Sequence, residues 1–318
     1  MKLMALVFGV LLPRLVLAAP TRVNGLYVNT FGDSTKPALI FVHGGPGYNS
    51  ADFEATTAQP LADMGYQVVV YDERGQGRNP AIPASEYTYK NYADDLLAII
   101  NQLGLTKPIL IGHSHGGPIS IQFDQIHPGV AKAVILVSGP VNFWNSIEAM
   151  YQNCSARYVT ANQTPLLANL TESYLQVAAT RKGSEAIVDP VANLFQHALY
   201  GCKLYSTKSP TVDAQKLEAI VATHPAPMEQ NSMPGFLLNE DYIYRDNFAQ
   251  VESNKGRYFG IYGDEDGLFT DATRAQISDA VNEPLHQRFF LVQGASHAVY
   301  LDQQSRFLAI VSQIVSGL

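Results

Sequence analysis

Ile109-Leu110-Ile111-Gly112-His113-Ser114-His115-Gly116-Gly117 decides the fold. An aliphatic run enters a turn in which a serine is bracketed by glycines at both second neighbours. A helix start follows. A serine at such a turn is held on a tight, strained backbone, so that its Oγ projects above the end of a sheet. Side chains at Gly112 and Gly116 would collide with neighbouring backbone, which accounts for the glycines. The helix expected from Gly116 points its positive end at the serine, and the His115 N–H can face a developing oxyanion. In a chain with 24 glycines the spacing arises by chance in roughly one sequence in ten. Its place directly after an apolar strand makes it a candidate nucleophile. The plain alternative is a glycine-rich turn whose serine caps a helix.

Working outward, short apolar runs bounded by turn residues recur at 25–31, 37–42, 67–71, 108–111 and 133–137, then at 257–262 and 288–292. Ile40-Phe41-Val42, Val68-Val69-Val70 and Val134-Ile135-Leu136-Val137 are continuous rather than alternating, as in strands covered on both faces. Between them Leu96, Ile99, Ile100 and Leu103 form one stripe of a helix predicted over 92–103, which Gly104 ends. Alternating strands and helices predict a doubly wound, mostly parallel α/β sheet. The pattern lapses from about Asn142 to Val251. The expected organisation is a core of 20–141 and 251–318 interrupted by a mostly helical insertion, 142–250.

The partners of Ser114 follow from position. His43-Gly44-Gly45-Pro46-Gly47 lies beyond the 37–42 run, where a bare backbone N–H can join that of His115 in an oxyanion hole; Gly45 is the expected donor. Chain order for such a site is serine, acid, histidine. His297, in Gly294-Ala295-Ser296-His297 just past the last strand, sits at the carboxyl edge of the sheet and is the expected base. His197 and His224 fall in the insertion, and His286 precedes the strand. Gly263-Asp264-Glu265-Asp266-Gly267 supplies three carboxylates after the preceding strand, with Asp266 the first choice and Asp264 the second.

Together with Asp72-Glu73-Arg74-Gly75-Gln76-Gly77, these segments resemble the α/β-hydrolases related to proline iminopeptidases. The resemblance covers about 25–140 and 251–315. It implies an eight-stranded, mostly parallel sheet with helices on both faces, a helical cap over the site, and catalysis by Ser114, His297 and Asp266 without a cofactor. It also implies that Asp72 and Arg74 order a loop rather than react. Trp commonly follows the nucleophile in that family; here it is His115, and the only Trp is Trp144. Asn79 stands where Ser is common. Asn239-Glu240-Asp241-Tyr242 resembles an acidic cap segment that binds a substrate's amino terminus, displaced by one position. Glu240, Asp241 and Glu229 are the candidate substrate carboxylates. The resemblance favours release of an N-terminal residue; a carboxylesterase with an apolar pocket, and a non-catalytic binder on the same scaffold, are the alternatives.

Hydrophobic residues make up 47% of the 318 and charged ones 15%, with a net charge of −7 and no run of Lys or Arg. A nucleic-acid partner is not expected. No clustered His/Cys spacing suggests a metal. Lys2, the apolar run 3–12 and Val16-Leu17-Ala18 resemble a secretory signal cleaved near Ala18 or Ala19, too short to span a bilayer. A secreted or periplasmic protein with no membrane anchor is expected. Cys154 and Cys202 are the only cysteines, and export favours a bridge between them. Sequons at Asn153, Asn162 and Asn169 are about as many as chance gives.

Overall fold

The computed structural model describes residues 20–180, 184–204 and 231–318. Eight strands form one sheet: β1 (Thr21–Val23), β2 (Leu26–Phe31), β3 (Ala38–Val42), β4 (Gln67–Tyr71), β5 (Ile109–His113), β6 (Ala133–Val137), β7 (Tyr258–Gly263) and β8 (Phe289–Val292). Their spatial order is β1-β2-β4-β3-β5-β6-β7-β8. β2 pairs antiparallel with both β1 and β4, and all the other pairs are parallel.

The continuous apolar runs are explained by burial on two faces. Ile40, Val42, Val69, Leu110, Val134 and Leu136 belong to one core cluster. Their neighbours Leu39, Phe41, Val68, Val70, Ile111 and Ile135 belong to the other. Every residue of β3 to β6 is buried, so the alternation of faces leaves no alternation of polarity. Edge strand β8 is different: Leu291 is exposed and the strand alternates.

Two expectations are revised. β1 was not foreseen, because three residues carry no periodicity; pairing with β2 defines it. The first long helix is Tyr89–Gln102 rather than 92–103, started by Thr88, whose Oγ1 accepts the Asn91 N–H.

Between β6 and β7 the described chain is helical, with helices Phe143–Thr160, Thr164–Ala179, Val188–Gln196 and Ser232–Asn239. A disulfide joins Cys154 to Cys202, tying the first of these to the end of the turn after the third. Because β3, β5, β7 and β8 are parallel, the loops that follow them emerge at one edge of the sheet. Ligands in such sheets bind outside the carboxyl ends of the strands, near where the strand order reverses. Here the reversal is at β3 and β5, next to Gly45 and Ser114.

Candidate active site

The turn after β5 has the geometry its glycines demand. Ser114 has φ 51°, a left-handed conformation costly for a residue with a side chain, and its N–H is held by Val137 O at 3.0 Å. A methyl group at Gly116 would lie 2.1 Å from Val42 O, and one at Gly112 2.5 Å from Gly116 O. Helix Gly116–Ile126 starts directly behind the serine and aims its N-terminus at this edge. Ser114 itself is half-buried.

Asp266 Oδ2 accepts from His297 Nδ1 at 2.8 Å. The other Asp266 oxygen accepts the Leu268 N–H at 3.0 Å, so the carboxyl is fixed on both sides. A proton on Nδ1 puts the lone pair on Nε2, at the opposite edge of the imidazole. Asp264 is directed elsewhere: its Oδ1 accepts the Gly294 N–H at 2.8 Å and pins the loop that carries His297. His297 lies against the elbow, its ring centre 5.0 Å from that of His113, and its carbonyl is 3.2 Å from His113 Nε2. Burial and the neighbouring His297 push the His113 imidazole well below its ordinary pKa, so it is a neutral donor to that carbonyl.

The loop after β3 closes on the same point. A Cβ on Gly44 would stand 3.2 Å from Ser114 Cβ. Gly45 has φ 146°, open to glycine alone. His43 braces the loop from within: its Nδ1 is 2.6 Å from Gly44 O, and its Nε2 accepts the Glu73 N–H at 3.0 Å. That pair of contacts requires the neutral Nδ1–H tautomer, which burial also favours.

Asp72 and Arg74 both act on the chain. Asp72 receives Arg78 Nε at 2.6 Å and Nη2 at 2.8 Å, along with Ser50 N and Oγ. Arg74 forms a bidentate pair with Asp95 at 2.6 and 2.7 Å. Asn79 bridges strand and loop, accepting the Tyr27 N–H at 2.7 Å and donating to Glu73 O at 3.0 Å.

His115 is buried, with Nδ1 2.8 Å from the Tyr242 hydroxyl and its ring against Phe236. In the segment Asn239-Glu240-Asp241-Tyr242, expected to face a substrate's amino terminus, Glu240 makes contacts within the chain. Glu240 Oε1 accepts the Tyr89 N–H at 2.9 Å, capping helix Tyr89–Gln102, and Oε2 meets Arg245 at 3.2 Å. Both of its oxygens are thus engaged within the chain. Asp241 borders, with Glu240, Tyr242 and Tyr244, a cavity of about 10 Å³, too small for more than a water. Glu229 and His224 lie outside the described residues. His197 is held between Tyr158 and Asn169 in the helical segment. A larger surface cleft of about 360 Å³ is bordered by Gln125, Arg245 and Gln250, and none of Ser114, Asp266 and His297 lines it.

Sequence reading missed a buried group beside the site: Glu73, Gln76, Tyr92 and Tyr242. The only sequence signal for it is a charged residue inside an otherwise loop-ordering motif. Among the described residues no three His, Cys, Asp or Glu side chains are placed to share a metal ion. No helix among them is long and apolar enough to cross a membrane.

A family model described as the alpha/beta hydrolase fold matches residues 37–304. A putative carbamate hydrolase of Pseudomonas syringae pv. syringae is 30% identical over 119 residues, 37% of this chain and 43% of that protein. The mouse sn-1-specific diacylglycerol lipase ABHD11 is 31% identical over 106 residues, 33% of this chain and 34% of its own. The match therefore spans less than half the length of these relatives. Among solved structures, a proline iminopeptidase-related protein of Thermus thermophilus superimposes with a TM-score of 0.66 at 18% identity, covering 94% of this chain and 97% of that one. An esterase of Exiguobacterium antarcticum does so with 0.58 at 17% identity, over 92% and 97%. At such identities the likeness is one of fold.

Proposed function

We propose that this chain, which belongs to the α/β-hydrolase family, is a serine hydrolase that cleaves an ester or amide bond through an acyl-enzyme on Ser114. The observation that carries the reading is the 2.8 Å bond from His297 Nδ1 to Asp266, which fixes the tautomer in which Nε2 serves as base. His297 takes the proton of Ser114 as Oγ attacks the carbonyl carbon. The N–H groups of Gly45 and His115 receive the oxyanion. His297 then protonates the leaving group, and water, activated by the same imidazole, releases the acid.

Between the two substrate classes, engagement of Glu240 by Tyr89 and Arg245 favours an ester. An exopeptidase needs a carboxylate free to pair with the substrate's ammonium group, and Glu240 is not free. The sequence resemblance had favoured the peptidase; a carboxylate's partners are a tertiary property that resemblance does not carry. Hydrolysis of short acyl p-nitrophenyl esters and of a proline arylamide by wild type, Ser114→Ala and Glu240→Ala tests both parts. The reading expects ester turnover that disappears in Ser114→Ala and survives in Glu240→Ala. Arylamide turnover lost selectively in Glu240→Ala reverses the choice of substrate. Ester turnover unchanged in Ser114→Ala refutes the nucleophile.

Export is proposed on the signal-like N-terminus, and the Cys154–Cys202 bridge is consistent with an oxidising compartment. Its test is the N-terminal sequence of the protein recovered outside the cytoplasm, expected to begin near residue 19 or 20.

A further inference from the structure

Behind the candidate oxyanion hole lies a carboxyl group to which the reaction as described gives no part. Glu73, on the turn after β4, is 1% exposed, and its Oε1 has no hydrogen-bond partner among the described residues. Its Oε2 accepts Gln76 Nε2 at 2.8 Å. Gln76 in turn accepts the Gly47 N–H through Oε1 and donates to the Tyr92 hydroxyl at 2.8 Å. A Cβ on Gly45 would come 3.2 Å from that same Gln76 Oε1. Glu73 is thus one hydrogen-bonded residue away from the loop that presents Gly45.

It also faces the other donor. His115 Nε2 lies 3.7 Å from Glu73 Oε2, too far for a hydrogen bond, and is itself buried with no hydrogen-bond partner among the described residues. The opposite ring nitrogen is tied to Tyr242 at 2.8 Å. The two backbone N–H groups assigned to the oxyanion therefore belong to segments that meet at a single buried carboxyl.

We propose that Glu73 is a positioning residue that sets both halves of the oxyanion hole, through Gln76 to the Gly45 loop and by direct packing against His115. The inference rests on the serine-hydrolase reading above and deepens it.

The charge state of Glu73 then matters. Burial drives its carboxyl well above the usual range, the Gln76 hydrogen bond opposes this, and the negative charges of Asp72 and Asp95 add to the rise. The two imidazoles that face it, His43 at 4.0 Å and His115 at 3.7 Å, are both held neutral by burial. The hydroxyls of Tyr71, Tyr92 and Tyr242 also feel its charge, and each is pushed up, first of all by burial. Glu73 is thus a neutral acid at the lower end of the pH range. As pH rises through its pKa, it gains a negative charge behind the place where the oxyanion forms. That charge opposes the oxyanion, so kcat falls on the alkaline side.

The experiment compares wild type, Glu73→Ala, Glu73→Gln and Ser114→Ala, with kcat and KM for a short acyl ester measured from pH 5 to 10. Glu73→Gln keeps an acceptor for Gln76 and mimics the neutral acid. It is expected to retain near-wild-type kcat at low pH and to lose the alkaline limb. Glu73→Ala is expected to lower kcat by about 10- to 100-fold with KM little changed, because the donors serve the transition state more than the ground state. An alkaline limb in Glu73→Gln identical to that of wild type overturns the proposal. So does wild-type kcat in Glu73→Ala. If Glu73→Ala does not fold, as judged by its thermal melt, the profile of Glu73→Gln alone decides. Activity retained in Ser114→Ala is a separate failure, of the nucleophile itself.

Discussion

Asp266 and His297, 31 positions apart in sequence, meet at 2.8 Å because each follows the carboxyl end of one of two adjacent parallel strands, where Gly263 of β7 pairs with Val292 of β8. Asp264, two residues nearer the strand, accepts the Gly294 N–H instead. Which carboxyl meets His297 is thus set by where each lands after the strand ends. Asp266→Asn can no longer favour the Nδ1–H tautomer and should lower kcat by about 10⁴-fold. Asp264→Asn keeps an acceptor for Gly294 and should leave kcat close to wild type. Steady-state kinetics on one ester separates the two.

The loop beneath Gly45 depends on a buried ion pair. Arg78 binds Asp72 through two nitrogens and Glu54 through a third. Burial acts to raise the Asp72 carboxyl, but Arg78 overrides it and holds the group at about 2 against an ordinary 3.8. The folded pKa is the lower one, so the stabilisation is present above about pH 4 and is lost as pH falls towards 2; it amounts to about 2 kcal/mol. Arg78→Ala, which strands Asp72, should cost about 3–5 kcal/mol near neutral pH. Urea unfolding of wild type and variant at pH 7 and pH 3 should show the difference narrowing at the lower pH.

Asp52 has the opposite sign. Burial lifts its carboxyl to about 6, against the hydrogen bonds from Tyr300 at 2.8 Å and from the Phe53 N–H. A folded pKa above the unfolded one gives stability that is full below about pH 4 and is lost as pH rises through 6. Asp52→Asn keeps an acceptor for Tyr300 and cannot ionise. Its stability relative to wild type should therefore improve by about 2 kcal/mol between pH 4 and 7. Thermal melts of the pair at both pH values provide the measurement.

Cys154 and Cys202 close a loop with a sequence separation of 48 within the helical segment between β6 and β7. Loop-closure entropy makes such a bridge worth up to about 4 kcal/mol. The double variant Cys154→Ala/Cys202→Ala should unfold at lower denaturant, and dithiothreitol should shift wild type the same way while leaving the variant unmoved.

How much of this was legible before folding depended on whether a residue's role is local. Ile40, Val69, Leu110 and Leu136 could be placed in buried strands because burial on both faces leaves an uninterrupted apolar run. Ser114 was legible because its turn excludes side chains at Gly112 and Gly116 within two residues of it. That His297 and Asp266 meet followed from strand order, a rule about topology that sequence order preserves. β1 was invisible, since Thr21-Arg22-Val23 becomes a strand only against Leu26–Val28. Glu240 was a candidate substrate carboxylate by resemblance alone, and its contact with the Tyr89 N–H, 151 positions away, could not be read from the sequence. Glu73 went unread for the same reason: Gln76 is close by, but Tyr92, His115 and Tyr242 arrive from three other segments.

Acylation of Ser114 is tested with a fluorophosphonate probe. Wild type and Ser114→Ala are treated with the probe, digested and mapped by mass spectrometry. One adduct is expected, on the peptide that carries Ser114, and none in the variant. An adduct of equal yield in Ser114→Ala, or one mapped to another serine in wild type, would contradict it.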